Sequence, residues 1–214
     1  MWGAWGLLGG SETASIVIAG AKLPGEQAPE PAQREPAGED SEEQQVRVGE
    51  SAFARSRGEL LLRGACHVSY VGLKVLDAAL YLSAGAEQSA SAVLDPKECK
   101  VLEIRYLRGF SAWQFRYQTE SLMRGNGYLR DGTNGVAQHL GAFNALYRDV
   151  AHADVFSLSY DPAEERTTLR HNGEALGSVQ SALFSSALFS VWFGENPFLS
   201  YMKSALLTPI APAL

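Results

Sequence analysis

The chain has 214 residues with 18 basic and 24 acidic side chains, and its formal charge of −6 is matched by the eight acidic and two basic residues between positions 26 and 50. The remainder sums to zero and holds no Lys/Arg run, which excludes a steering field for nucleic acid or for an anionic membrane. Two cysteines, Cys66 and Cys99, are too few for a disulfide framework and lack CxxC spacing, so both read as reduced, small apolar residues and no metal site is expected.

The first stretch, MWGAWGLLGGSETASIVIAG, has no basic n-region and no Arg-rich amphipathic pattern. Gly9-Gly10-Ser11-Glu12 breaks it well short of about 20 apolar residues, so no membrane span is expected. The compartment stays open between a soluble one, an organelle and the periplasm. From Pro24 to Glu50 the composition is Pro, Ala, Gln, Glu and Gly, too poor in aliphatic groups to offset the entropy of ordering, and reads as a disordered linker. Residues 1–52 are therefore expected to be a non-globular extension, 53–208 one domain, and 209–214 a tail.

Two apolar segments follow, Glu59 to Val68 and Val71 to Leu82, interrupted by Gly64 and Gly72 and rich enough in Leu, Val and Tyr to be covered strands. Lys100 to Arg108 alternates, with Leu102, Ile104 and Tyr106 on one side and Val101, Glu103, Arg105 and Leu107 on the other. Ser111 can cap a helix running to Gly125-Asn126-Gly127, and Asn134 a second one carrying Val136, Leu140, Phe143, Leu146, Tyr147 and Val150 at helical spacing. Asp154 to Tyr160 and Thr167 to Arg170 make a hairpin, Asn172-Gly173 a type I′ turn, and Ala175 to Val179 pairs back. Ser181 to Phe193 and Pro197 to Leu207 are helical, with Pro197 in a first turn. Strands, helices, strands, helices in that order predict α+β, an antiparallel sheet with helices on one face. No GxGxxG, Walker loop, HExxH or GxSxG occurs.

Leu62-Arg63-Gly64-Ala65-Cys66, leading into Lys74-Val75-Leu76-Asp77-Ala78-Ala79-Leu80-Tyr81-Leu82, resembles the opening of chalcone isomerase-like proteins. Asp154-Val155-Phe156 before Tyr160-Asp161-Pro162 is similar to their middle hairpin. Asn172-Gly173, then Trp192-Phe193-Gly194-Glu195-Asn196-Pro197 to Lys203-Ser204-Ala205-Leu206-Leu207, resembles their end. The resemblance implies an open-faced β-sandwich with a cleft between sheet and helices. It also implies a division between plant-type isomerases, which close a chalcone to a flavanone, and non-catalytic relatives that bind fatty acids or have no settled activity; some mitochondrial relatives bind heme.

Ring closure needs a cation for the phenolate and hydrogen bonds where charge develops on the enone. The resemblance puts the family's Arg slot on Val68, beside His67, its strand Thr on Leu76, its Tyr on Trp113 or Gln114, and its late Thr on Val191, next to Ser190. The classical site is thus expected to be lost. In a pocket otherwise apolar, Arg105 is the first candidate to hold a carboxylate bidentately, with Arg108 beyond it and a hydroxyl from Tyr106, Tyr81 or Tyr117. Its alternative is a surface pair with Glu103 or Glu120. His67 is a candidate for hydrogen-bonding a ligand acid or for holding a heme iron, against the plainer role of a satisfied strand histidine. No second heme ligand is evident, so no cofactor is expected. The aromatic series Trp113, Phe115, Tyr117 and Leu183 to Phe193 reads as core. The leading expectation is a non-catalytic binder of a fatty acid, a flavonoid-like molecule or another small apolar acid. The others are an isomerase or intramolecular lyase using Arg105 or Arg108 with His67, and a protein-interaction module with a filled cleft.

Overall fold

The structure, a computed structural model, describes residues 44–129 and 135–210. Seven strands form one antiparallel sheet in sequence order: β3 (Ser56–Arg57), β4 (Leu60–Tyr70), β5 (Leu73–Ser83), β6 (Lys100–Tyr106), β7 (Val155–Asp161), β8 (Arg166–His171) and β9 (Glu174–Gln180). β4 and β5 meet in a tight turn in which Val71 and Gly72 both take positive φ, 48° and 74°. Asn172-Gly173, at 50° and 87°, makes the same kind of turn between β8 and β9, as its sequence predicts.

Alternation along the strands sends Cys66, Val68, Leu76, Ala78, Leu80, Leu102, Ile104, Tyr106, Phe156, Leu158 and Leu169 to one face. All join one core with the helices α1 (Ala90–Leu94), α2 (Ala112–Gly125), α3 (Val136–Asn144), α4 (Ala182–Phe193) and α5 (Ser200–Leu206). α4 lies innermost, touching the other four helices and burying nine residues around its girth, which is why its sequence is apolar on every side. Gly64 marks a register shift in β4, and a Cβ there would strike the backbone carbonyl of Leu206. The glycine therefore sets how closely α5 approaches the sheet.

Part of the sheet's other face, around β4 and β5, is covered too. β1 (Gln45–Val48) and β2 (Ser51–Ala54) form a hairpin whose Phe53 packs on Leu60, Ala79 and Tyr81. Its turn is fixed by Asp77, fully buried on β5, whose carboxylate accepts from Ser51 Oγ at 2.6 Å, from the Glu50 N–H at 2.9 Å and from His67 Nδ1 at 2.6 Å. Gly49, at φ 60°, lies so close that a Cβ would collide with the Asp77 carboxylate and the His67 ring.

Several expectations need correction. Residues 45–50, read as linker, and 51–52, read as the end of the extension, belong to this hairpin; Val46, Val48 and Phe53 supply too little apolar area to mark it in sequence, and it is held by Phe53 together with the Asp77 hydrogen bonds. The rest of the extension lies outside the described residues, as do Asn134 and the end of the tail. α1, capped by the Ser89 side chain, was not expected at all. α3 ends at Asn144, so Tyr147 and Val150 follow in a loop. Pro197 is not helical: residues 194–199 run back along α4, with the Phe198 N–H on the Val191 carbonyl at 2.6 Å, and α5 starts at Ser200. Among the described residues no helix is long and apolar enough to cross a membrane.

Candidate functional site

Between the sheet and the helices lies a cavity of about 70 Å³. Its floor is Leu76, Leu102, Ile104, Tyr106, Phe156, Leu158 and Leu169, all inward residues of β5 to β8. Its roof comes from Phe115 and neighbours on α2, Tyr147, and Val191, Trp192 and Phe198 around the end of α4. The half-buried lining residues, Gln114, Phe115, Gln118, Trp192 and Phe198, belong to α2 and the end of α4 with its following loop, so this is the side nearest solvent. An engineered cavity of about 150 Å³ takes a benzene-sized guest, so the enclosed space here is small.

The polar groups in the wall are uncharged. Thr119 Oγ1 and the Tyr147 hydroxyl share a hydrogen bond of 3.1 Å in the buried interior. Burial pushes the Tyr147 phenol up to about 12, and it raises Tyr106 well above the ordinary value, with Tyr147 adding to the effect. Both stay neutral in the physiological range. Gln114 Oε1 accepts from the Ser111 N–H at 2.8 Å in the capping box of α2, while the Gln118 amide has no hydrogen-bond partner among the described residues.

Of the six residues singled out from sequence, only Tyr106 lines the cavity. Arg105 stands on the opposite face, paired in register with Asp77 and close enough to Glu103 to lower that carboxyl's pKa, which burial raises overall. Glu103 itself pairs with Arg57, whose guanidinium lies 5.4 Å from the Tyr81 ring centroid. Tyr81 and His67 share that second face, His67 held by Asp77. Arg108 is exposed beyond β6, and Tyr117 stacks on Trp113 at 5.3 Å on the outer side of α2. The strand alternation holds, and it is the face of Leu102, Ile104 and Tyr106, not that of Arg105, that looks into this cavity.

The slots implied by the family resemblance fall where the cavity is. Leu76, Gln114 and Val191 line it, and Val68, in register with Leu76, is buried beside it. Apolar side chains thus occupy three of the four positions. Missed from sequence were Gln118, Thr119 and Tyr147. One signal existed: Thr119 is the polar interruption in the inward stripe Phe115, Thr119, Leu122, Met123 of α2.

No curated protein matches this chain. Among solved structures, a fatty-acid binding protein of Arabidopsis thaliana superposes with a TM-score of 0.60 at 17% identity, covering 76% of this chain and 95% of that one. At that identity the likeness is one of fold: a curled antiparallel sheet backed by helices. The family model described as chalcone isomerase-like matches residues 41–208. With the sheet, the helical cover and the cavity in the expected places, the chain belongs to the chalcone isomerase-like family.

Proposed function

We propose that this protein binds an acyl-type apolar ligand, such as a fatty acid, in the cavity between sheet and helices, without catalysing its conversion. The observation that carries this reading is the wall itself: apolar from strands β5 to β8, with a few neutral hydrogen-bonding groups and no cation for ring closure among its lining residues. The Arabidopsis neighbour, named as a fatty-acid binder, supports it. Arg105, Arg108 and His67 give no help to an isomerase reading, because the cavity wall includes none of them.

The test is titration of the full chain with dodecanoic acid at pH 5, followed by calorimetry and thermal unfolding. Saturable binding is expected, with a stabilisation of about 2.7 kcal/mol at a ligand concentration of 100 Kd. Val191→Trp, which fills the cavity from α4, should abolish binding while the variant still unfolds cooperatively. Absence of saturable binding to the parent chain would reject the reading. Chalcone ring closure should proceed at the uncatalysed rate; acceleration of about 10⁶-fold would reassign the site to catalysis.

A further inference from the structure

We infer that the cavity selects ligands whose polar head is uncharged: a long-chain alcohol, ester or amide, or a carboxylic acid in its protonated form. The inference rests on the reading that this cavity is the ligand site, and it concerns what the head group must be.

Sixteen residues line the cavity, and none is Asp, Glu, Lys, Arg or His. An ionised carboxylate placed there would leave water for an apolar wall with no cation to meet it, and such a transfer is strongly unfavourable unless the group is neutralised. Charged side chains on the surrounding elements turn elsewhere. Arg116 of α2 donates through Nε to the Asn144 carbonyl at 2.8 Å and reaches the Tyr147 carbonyl at 3.5 Å. Asp149 accepts from the Ala112 N–H at 2.7 Å, and His171 pairs with Asp154 at 3.3 Å. Lys100, on the same sheet face, is held at the far end of β6 between Tyr160 and Phe189, its Nζ on the Asp95 carbonyl at 2.7 Å.

What the wall offers suits a neutral head. Thr119 and Tyr147 are two hydroxyls joined by one hydrogen bond, so one O–H proton of the pair is left to donate to a ligand oxygen. Gln118, one residue away on α2, adds an amide that both donates and accepts and lies on the solvent-facing side of the cavity. An alcohol, ester or protonated acid is served by such a set; a carboxylate needs donors only, and preferably charged ones.

The experiment compares 1-dodecanol with dodecanoic acid on the full chain by calorimetric titration between pH 5 and pH 8. The alcohol should bind with an affinity independent of pH. The acid should weaken about tenfold per pH unit once above its own pKa, roughly hundredfold between pH 6 and pH 8, because only its protonated form is admitted. Gln118→Arg places a cation on a half-buried position of α2 and should raise affinity for dodecanoate at pH 8 by about tenfold or more, as a paired buried charge would. Dodecanoate binding that is as tight as the alcohol's at pH 8, or that does not change with pH, would overturn the inference and leave the binding reading intact. If neither compound bound at any pH, both would fall.

Discussion

At the scale of single residues, the sharpest contrast is between Lys100 and Arg105, five positions apart on β6 and therefore on opposite faces of it. Lys100 is fully buried, and desolvation lowers its pKa to about 8 from 10.5 in spite of Asp95 and Glu98 nearby. Between those two values the unfolded chain binds more protons than the folded one, so stability rises with pH through that window and the penalty is complete below it. The full span is worth roughly 3 kcal/mol. Lys100→Met should remove the slope: measured by urea unfolding from pH 8 to pH 10, the parent should gain about 2 kcal/mol relative to the variant. Arg105 carries a different expectation. Because it faces away from the cavity, Arg105→Ala should leave ligand affinity within about twofold, and a loss of tenfold would move the binding site to the Asp77 face.

At the scale of elements, Asn126 does the joining. Its Nδ2 donates to the carbonyls of Leu122, Ser190 and Asn196 at 3.0, 3.0 and 3.1 Å, and its Oδ1 accepts from the Asn196 N–H at 2.8 Å. The end of α2 is thereby tied to the end of α4, next to the half-buried side of the cavity. Asn126→Ala should cost about 1–2 kcal/mol, since the hydrogen bonds between the two elements are lost while the Leu122 and Ser190 carbonyls keep their backbone donors, and should also speed ligand dissociation by loosening the roof. Stopped-flow release of a bound fluorescent acyl probe measures the second effect. Gly64→Ala should cost more than about 2 kcal/mol, because the obstacle it meets is the Leu206 backbone and not a movable side chain.

For the molecule as a whole, the helices lie on one face of the sheet as expected, and the β1–β2 hairpin adds a small cover over β4 and β5 on the other. A chain beginning at residue 44 keeps the hairpin, whereas one beginning at residue 55 loses Phe53 from the second core and two donors from buried Asp77. The difference should reach about 3 kcal/mol or more in urea unfolding. The same hairpin explains what was legible in sequence. Strand alternation, the Asn-Gly turn and the long β4–β5 pair are local patterns and could be read. The side of β6 facing the cleft is a tertiary fact, and with the second face of this strand partly covered neither looks like solvent. Leu102, Ile104 and Tyr106 were the more apolar set, and that was the available clue. Thr119 and Tyr147 meet across 28 positions of chain, and no local pattern pairs them.

The position of Trp192 in the wall has an optical consequence. An indole at the half-buried edge of the cavity sits where water retreats as a ligand enters, whereas Trp113, 48% exposed and outside the wall, keeps its hydration. With Trp2, Trp5 and Trp113 all replaced by Phe, so that Trp192 alone emits, filling the cavity should move the emission maximum to shorter wavelength, and the protein reports its own occupancy without an added dye.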